Sequence, residues 1–275
     1  MADSEWDVLA EDEQQTFIKQ YQEDLFSGVT SSAESYPRFT IILGAQGAGK
    51  STLSKSLRNT VVVSPDEVIR RLYKDLGYDL TQNNYDAQTG DFAMRVSYET
   101  MNKALALKYD IAYDAMSLSD LGNIFKVVKN FGYDFNIKAV IDDEYTSALN
   151  VEERKLQNNE EYIRYKQGKG RYPSGNPLEV SSQDSIISSM RLVDFLLQAD
   201  EKNIRFEVYE PGKTEPAYVS RNGKNSFADY LENRKLCSAA EHEKRCEKLL
   251  RKAKEANNEN AFLRLKLLQK EIRNL

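Results

Sequence analysis

Cysteine and histidine are scarce in this sequence of 275 residues, which has two cysteines and one histidine. Cys237 and Cys246 lie nine residues apart in a charged stretch that we expect to be helical, and this spacing does not place them on one helix face. We expect His242 to lie on a solvated helix without a ligand partner. These features argue against a disulfide framework, a zinc site and Ser-His-Asp catalysis.

Long apolar runs and an excess of positive charge are also absent. No apolar run approaches the roughly 18 residues of a membrane-spanning helix. The N-terminal segment MADSEWDVLAEDEQQ is acidic, unlike a signal peptide. Lys and Arg number 38 against 43 Asp and Glu, a net charge of -5. We therefore expect a cytoplasmic protein without a membrane partner, and the charge disfavours a nucleic-acid partner.

Short β-rich runs alternate with helical patterns through the middle of the chain. Apolar residues at helical intervals first predict an amphipathic helix between residues 4 and 28. Strands are expected at 39–43, 60–63, 110–113, 136–141 and 204–209. This alternation indicates an α/β fold, with a parallel sheet that carries helices on both faces.

The sequence from about residue 226 to the end is helical and highly charged. Its apolar stripe fits either a packing helix pair or a partner-binding coiled coil. The stripe consists of Leu249, Leu250, Phe262, Leu263, Leu265, Leu267, Leu268 and Ile272.

The stretch FTIILGAQGAGKST, residues 39–52, joins an expected strand to a glycine-rich turn and a helix. Its residues match the pattern G-x-x-x-x-G-K-[ST], in which backbone N–H groups converge on phosphate oxygens. Lys50 would reach the β- and γ-phosphates of ATP, and the Ser51 hydroxyl would bind Mg²⁺. The predicted ATP-binding residues are Gly44, Ala45, Gln46, Gly47, Ala48, Gly49, Lys50, Ser51 and Thr52.

Asp66 follows the second expected strand in the segment SPDEVIRRL. Ser64 suits a helix N-cap, Pro65 the first helical position, and Glu67 the third position of a capping box. Asp66 would then lie at the carboxyl end of the strand beside the P-loop strand, where ligands bind in such sheets. It is a candidate base for an attacking hydroxyl, and the alternative is that it only complements the helix dipole.

Two more acids are candidates on the substrate side. Glu99 lies in the helical run DFAMRVSYETMNKALALK, where the residues alone favour a solvated position. Asp114 ends the expected strand YDIAYD, and a carboxylate at such a position commonly holds Mg²⁺ or its water. Alternatively, Asp114 caps the following turn.

Cations cluster before and within the segment QGKGRYPSGNP, residues 167–177, which we expect to be an exposed loop. Solvated helix charge accounts for most of them. Arg164 and Arg171 are the candidates for a lid over the phosphates, because charge spreads over the transferred group. The cluster consists of Arg154, Arg164, Lys166, Lys169 and Arg171.

Taken together, residues 10 to 215 resemble the zeta toxins, the P-loop kinases of bacterial toxin–antitoxin pairs. The resemblance rests on the P-loop, the strand ending at Asp66, Glu99 after an interval of 33 residues, and the basic loop. It implies ATP-dependent phosphorylation of a UDP-amino sugar such as UDP-N-acetylglucosamine at its 3′-hydroxyl, and an antitoxin partner. Asp66 would then be the base, Glu99 would bind the sugar nucleotide, and Arg164 with Arg171 would stabilise the transferred phosphate.

One segment departs from the family pattern of Glu-x-Thr followed by an arginine. This chain has DAMSLSD at 114–120, with Asp114 one methylene shorter than glutamate. Two other hypotheses stay open: a P-loop kinase that phosphorylates another small metabolite or a polynucleotide 5′ end, and a nucleotide-dependent protein-binding module. The expected division is an N-terminal helix and linker (1–35), a P-loop kinase domain with a basic lid around 154–177 (36–225), and a helical C-terminal extension (226–275).

Overall fold

A computed structural model describes residues 9–32, 36–76, 87–114, 121–173, 181–221 and 225–275. Within these residues one sheet of six strands has the order β2-β3-β1-β4-β5-β6. All pairings are parallel except that of β5 with β6. The prediction of an α/β fold with a mainly parallel sheet is therefore confirmed. The strands are β1 Arg38–Leu43, β2 Thr60–Val63, β3 Asp110–Asp114, β4 Asp134–Val140, β5 Phe206–Tyr209 and β6 Tyr218–Val219.

Ten helices are present in the described ranges, none of them with the combination of length and apolarity that crossing a bilayer requires. Residues 1–8, 115–120 and 174–177, which carry parts of the predictions above, lie outside the described residues. The helices are α1 Glu11–Phe26, α2 Lys50–Ser56, α3 Pro65–Leu76, α4 Ala87–Ala106, α5 Leu121–Asn130, α6 Glu144–Lys166, α7 Ser182–Glu201, α8 Phe227–Asn233, α9 Ala239–Glu255 and α10 Glu259–Ile272.

The central strand β1 is buried on both faces, which explains its continuous apolar sequence. Phe39, Ile41 and Leu43 pack into the main core, whereas Ile42 packs on the opposite face with Ala45, Ala48 and Leu53. Because successive side chains of a strand point to opposite faces, this alternation fixes the register of β1. It also holds the start of the glycine-rich turn against the sheet.

The C-terminal helices α9 and α10 pack on α6, as expected for a packing helix pair. Ser238 and Asn258 cap these helices, and the buried cluster joins Leu249, Leu250, Leu265, Leu268 and Ile272 to apolar residues of α6. The predicted stripe is wrong at two positions, because Leu263 and Leu267 are 62% and 67% exposed. Both lie on the side of α10 that faces away from the packed seam.

His242 is buried, so the prediction of a solvated histidine is wrong. Because α9 packs on α6, His242 meets the N-cap residue of α6, and its Nε2 lies 2.7 Å from Asp143 Oδ1. Cys237 brings a third potential metal ligand within 4.8 Å of these groups. However, the Thr146 N–H and hydroxyl also donate to the Asp143 carboxylate, at 2.6 and 2.5 Å. A helix cap with an added imidazole contact accounts for this arrangement.

Candidate active site

The glycine-rich turn occupies residues 44–49, between the end of β1 and the start of α2. Gly47 and Gly49 have positive φ angles of 85° and 98°. A Cβ at Gly47 would collide with the Ser147 carbonyl of α6, and one at Gly44 would lie 2.8 Å from Lys50 Cγ. Glycine is therefore required here both by backbone conformation and by close neighbours.

Lys50 and Asp114 lie side by side at the carboxyl edge of the sheet. Parallel pairing sets Asp114 opposite Ile42, and Lys50 Nζ lies 3.8 Å from Asp114 Oδ1. The Lys50 ammonium also donates to the Gly44 carbonyl at 2.8 Å. Burial raises the pKa of Asp114 to about 6, although Lys50 lowers it, and nearby Asp66 raises it as well.

A cavity of about 350 Å³ opens over the turn. Its lining includes the predicted residues Lys50, Ser51, Asp66 and Asp114, together with Ala45, Gln46, Gly47 and Gly49 of the predicted ATP-binding segment. Asp66 comes from the first turn of α3, where it enters the cavity directly after β2. Further lining residues that the sequence did not single out include Lys55, Arg70, Gln157, Asn158 and Glu161.

Gly44, Ala48 and Thr52 of the predicted ATP-binding segment are absent from the described lining of this cavity, and so are the three residues predicted for the acceptor or the transferred phosphate. Glu99 is exposed on α4, 3.9 Å from Arg95 in an ion pair. Arg164 lies in α6 and lines a separate cavity between α6 and α9, and Arg171 is exposed in the loop after α6. Of the predicted cation cluster, Arg154 lines the cavity over the turn instead.

Sequence reasoning missed two residues that contact the turn from outside. Asn150 Nδ2 of α6 donates to the Gly47 carbonyl at 2.8 Å, and Ser185 Oγ of α7 donates to the Gln46 carbonyl at 2.7 Å. These residues lie 103 and 139 positions from their partners. No local pattern signals contacts over such separations.

Comparison with solved structures finds proteins of similar fold. A structure of the PezAT chromosomal toxin–antitoxin system of Streptococcus pneumoniae has a TM-score of 0.63 and 21% identity, over 88% of this chain and 98% of that chain. The AvrRxo1-ORF1:AvrRxo1-ORF2 complex with sulphate ions has a TM-score of 0.51 and 12% identity, over 93% and 85%. The complex solved with ATP gives a TM-score of 0.51 and 12% identity, over 94% and 86%.

At these identities the similarity shows a shared fold. No curated protein matches the chain. The family model of the zeta toxins matches residues 22–196, which include the P-loop, Asp66, Glu99, Asp114 and the cation cluster. This match covers well over half of the sequence, so the chain belongs to the zeta toxin family, whose fold and function are of P-loop kinase type.

Proposed function

We propose that this protein transfers the γ-phosphate of ATP to a hydroxyl of a UDP-amino sugar such as UDP-N-acetylglucosamine. The observation that carries the proposal is the meeting of Lys50, Ser51, Asp66 and Asp114 in one cavity over the glycine-rich turn. A nucleotide-binding module needs the first two of these groups. A carboxylate from another helix in the same cavity adds a group that can accept a proton, which favours a kinase.

The turn suits a triphosphate. Glycines at 44, 47 and 49 leave the backbone unobstructed, so its N–H groups can approach phosphate oxygens. Lys50 has three N–H donors, and the bond to Gly44 uses one of them. The remaining donors can therefore bind the terminal phosphates.

The donor types beside the turn also suit Mg²⁺. Ser51 and Asp114 supply a hydroxyl and a carboxylate, the hard oxygen ligands that Mg²⁺ takes, and both line the cavity. These two residues would hold the ion, which when bound neutralises charge on the phosphates. Asp114 must be ionised for this role, which makes the site sensitive to acid.

Asp66 would act as the base that takes the proton of the acceptor hydroxyl. Its position in the first turn of α3 lets it reach a substrate that enters opposite the P-loop. The raised pKa of Asp114 reflects in part the charge of Asp66, which is consistent with two carboxylates sharing one cavity. Asp66 then serves proton transfer and Asp114 serves the metal.

The acceptor assignment follows from family membership, and the charges around the cavity agree with it. Lys55, Arg70 and Arg154 line the cavity in addition to Lys50. Such cations suit an acceptor that itself carries phosphates, as a UDP-sugar does. Glu99 would bind the sugar nucleotide, and Arg164 at the end of α6 and Arg171 in the segment after it would stabilise the transferred phosphate once both close over it.

A protein antitoxin that covers the nucleotide site is the proposed partner. The similar PezAT structure comes from a toxin–antitoxin system. ATP and UDP-sugars are cytoplasmic metabolites, so we place the reaction in the cytoplasm.

The test is to incubate the purified protein with ATP, Mg²⁺ and separate acceptors: UDP-sugars, nucleosides and 5′-hydroxyl oligonucleotides. Mass spectrometry identifies any phosphorylated product, and the Asp66→Asn variant serves as the inactive control. We expect a single added phosphate on a UDP-amino sugar. A phosphorylated nucleoside or oligonucleotide would keep the kinase assignment but overturn the acceptor. ATP binding without any product would support the binding module.

A further inference from the structure

Two consecutive carbonyl groups of the P-loop are held from outside the loop. Ser185 of α7, which is fully buried, binds the Gln46 carbonyl, and Asn150 of α6 binds the Gly47 carbonyl. Both bonds come from helices far along the chain from the turn. The motif therefore specifies the turn, and distant helices specify how its peptide groups are oriented.

The orientation matters because a trans peptide is planar, with its C=O and N–H pointing in opposite directions. When Ser185 holds the Gln46 carbonyl outward, the N–H of Gly47 is directed to the other side, toward the cavity. The bond from Asn150 fixes the next peptide in the same way. Its N–H, on Ala48, donates to the Ala45 carbonyl across the turn at 3.2 Å.

Asn150 is itself oriented by the C-terminal extension. Its Oδ1 accepts a hydrogen bond from Arg245 Nη2 of α9 at 2.5 Å, and the same nitrogen lies 2.7 Å from Glu153 Oε2. The amide of Asn150 thus donates to the P-loop at one end and accepts from an arginine at the other. An amide with both ends bound cannot rotate without breaking one of these bonds.

Two further contacts attach α9 and α10 of the extension to α6, the helix that carries Asn150. Arg264 of α10 lies 3.0 Å from the carboxylate of Glu152, which is fully buried on α6. His242 of α9 contacts Asp143 at the other end of the same seam. Breaking a buried ion pair is costly, so these contacts hold α9 and α10 on α6.

We propose that the helical C-terminal extension is a working part of the nucleotide site, because Arg245 holds Asn150, and Asn150 holds the P-loop in its phosphate-binding conformation. Arg245 and Asn150 are positioning residues, since neither lines the cavity among the described residues. The proposal rests on the proposed function only in requiring that the P-loop binds ATP. It gives the extension a role within the chain itself, without a partner.

The test compares ATP-analogue affinity in full-length variants by calorimetry. Arg245→Ala and Asn150→Ala are each expected to weaken binding about tenfold, the scale of one lost charged or amide hydrogen bond. The double variant is expected to have the same ATP-analogue affinity as the single variant that binds less tightly. Both changes interrupt the same series of hydrogen bonds, from Arg245 through Asn150 to the turn. Additive losses, or unchanged affinity in Arg245→Ala, would overturn the proposal.

Two controls separate positioning from general damage. Arg273→Ala breaks an ion pair with Glu243 inside the extension that does not reach α6, and it should leave affinity unchanged. Hydrogen exchange without nucleotide provides a second readout: the amide of Ala48, which donates to the Ala45 carbonyl, should exchange faster in Arg245→Ala, while those of β1 stay protected. Equal exchange in both proteins would contradict the proposal. Failure of the wild type to bind any nucleotide would instead overturn the proposed function.

Discussion

The residues proposed for the nucleotide and those proposed for the acceptor and the transferred phosphate differ in how firmly they are held. On the nucleotide side, Lys50 bonds to Gly44, and Asn150 and Ser185 bind two carbonyls of the turn. Of the residues proposed for the acceptor and the transferred phosphate, Glu99 lies in an exposed ion pair and Arg171 is exposed in a loop, and neither lines the cavity. The proposed phosphate cradle is thus held in place by its neighbours, whereas the residues proposed for the acceptor and the transferred phosphate have not converged on it.

This contrast agrees with the different tasks proposed for the phosphate cradle and for the acceptor site. A phosphate cradle works through fixed backbone dipoles, and fixing them in advance avoids reorganisation during transfer. An acceptor site that closes only around its substrate protects ATP from water until the hydroxyl is in place. We therefore expect changes on the two sides to separate in binding and turnover measurements.

The largest effect is expected from Asp66→Asn. An amide of the same shape cannot take the hydroxyl proton, so turnover should fall by on the order of 10³-fold. ATP affinity should stay within about threefold, because the cradle is untouched. Product formation and calorimetric affinity measured on one preparation check this pair of results. A variant with near-normal turnover would reduce Asp66 to a helix-dipole role.

Lys50→Ala should instead weaken both ATP binding and phosphate transfer. Loss of the ammonium removes a phosphate contact in both the ground state and the transition state, so binding and transfer both weaken, transfer by about 10²- to 10³-fold. It also leaves Asp114 without the neighbouring charge at 3.8 Å. The same two assays apply. Unaltered ATP affinity would count against the assigned cradle.

Glu99→Gln tests whether the acceptor side closes during the reaction. If Glu99 swings from Arg95 to the sugar nucleotide, its loss should raise the acceptor KM about tenfold and leave ATP affinity unchanged. The matched variant Arg95→Gln, which breaks the same ion pair, should leave the acceptor KM unchanged. Steady-state kinetics with varied acceptor measure both. Identical kinetics in the Glu99 variant and the wild type would show that the exposed ion pair is the whole role of Glu99.

The smallest expected effect is the pH dependence that Asp114 contributes. Its pKa is raised from an ordinary 3.8 to about 6, so folding favours the protonated form. Its stabilising contribution is present at low pH and is lost as pH rises through about 6, by about 1 kcal/mol between pH 5 and 7.5. The free energy of unfolding is measured with denaturant for the wild type and for Asp114→Asn at each pH. The difference between the two proteins should show this loss. Burial also raises the pKa of Asp142 to about 6. Its contribution to the pH dependence is the same in both proteins, so it cancels in the difference. A pH-independent difference would contradict the assigned pKa.

The same carboxylate should act in the opposite direction on metal-dependent binding. A protonated Asp114 cannot ligate Mg²⁺, so the gain in ATP affinity from Mg²⁺ should shrink as pH falls below about 6. In Asp114→Asn this gain should be smaller and independent of pH. Titration of ATP with and without Mg²⁺ at several pH values measures it. A full, pH-independent gain in the variant would remove Asp114 from the metal site.

The sequence predicted the parts of this molecule that are local. Five of the six described strands and the P-loop were predictable because apolar runs and a glycine motif determine them within a few residues. The edge strand β6 has two residues, too few for a pattern. The burial of His242 and the roles of Asn150 and Arg245 depend on helices that meet from distant parts of the chain. No periodicity within one segment encodes such contacts.

The cation cluster shows the same limit at the site itself. Spacing along α6 cannot tell which arginine faces the phosphates, because the helix turns its side chains toward different neighbours. In the structure Arg154 lines the cavity over the glycine-rich turn, whereas Arg164, ten residues later, lines the cavity beside α9. The arginine nearer the cradle was therefore the one that the sequence did not favour.

A crystal structure with a non-hydrolysable ATP analogue and Mg²⁺ tests the central claim most directly. We predict the β- and γ-phosphates against the backbone of residues 44–51, the ion between Ser51 and Asp114, and movement of the turn by less than about 1 Å. Analogue density away from the turn, or a turn that abandons its bonds to Asn150 and Ser185, would contradict a preorganised cradle.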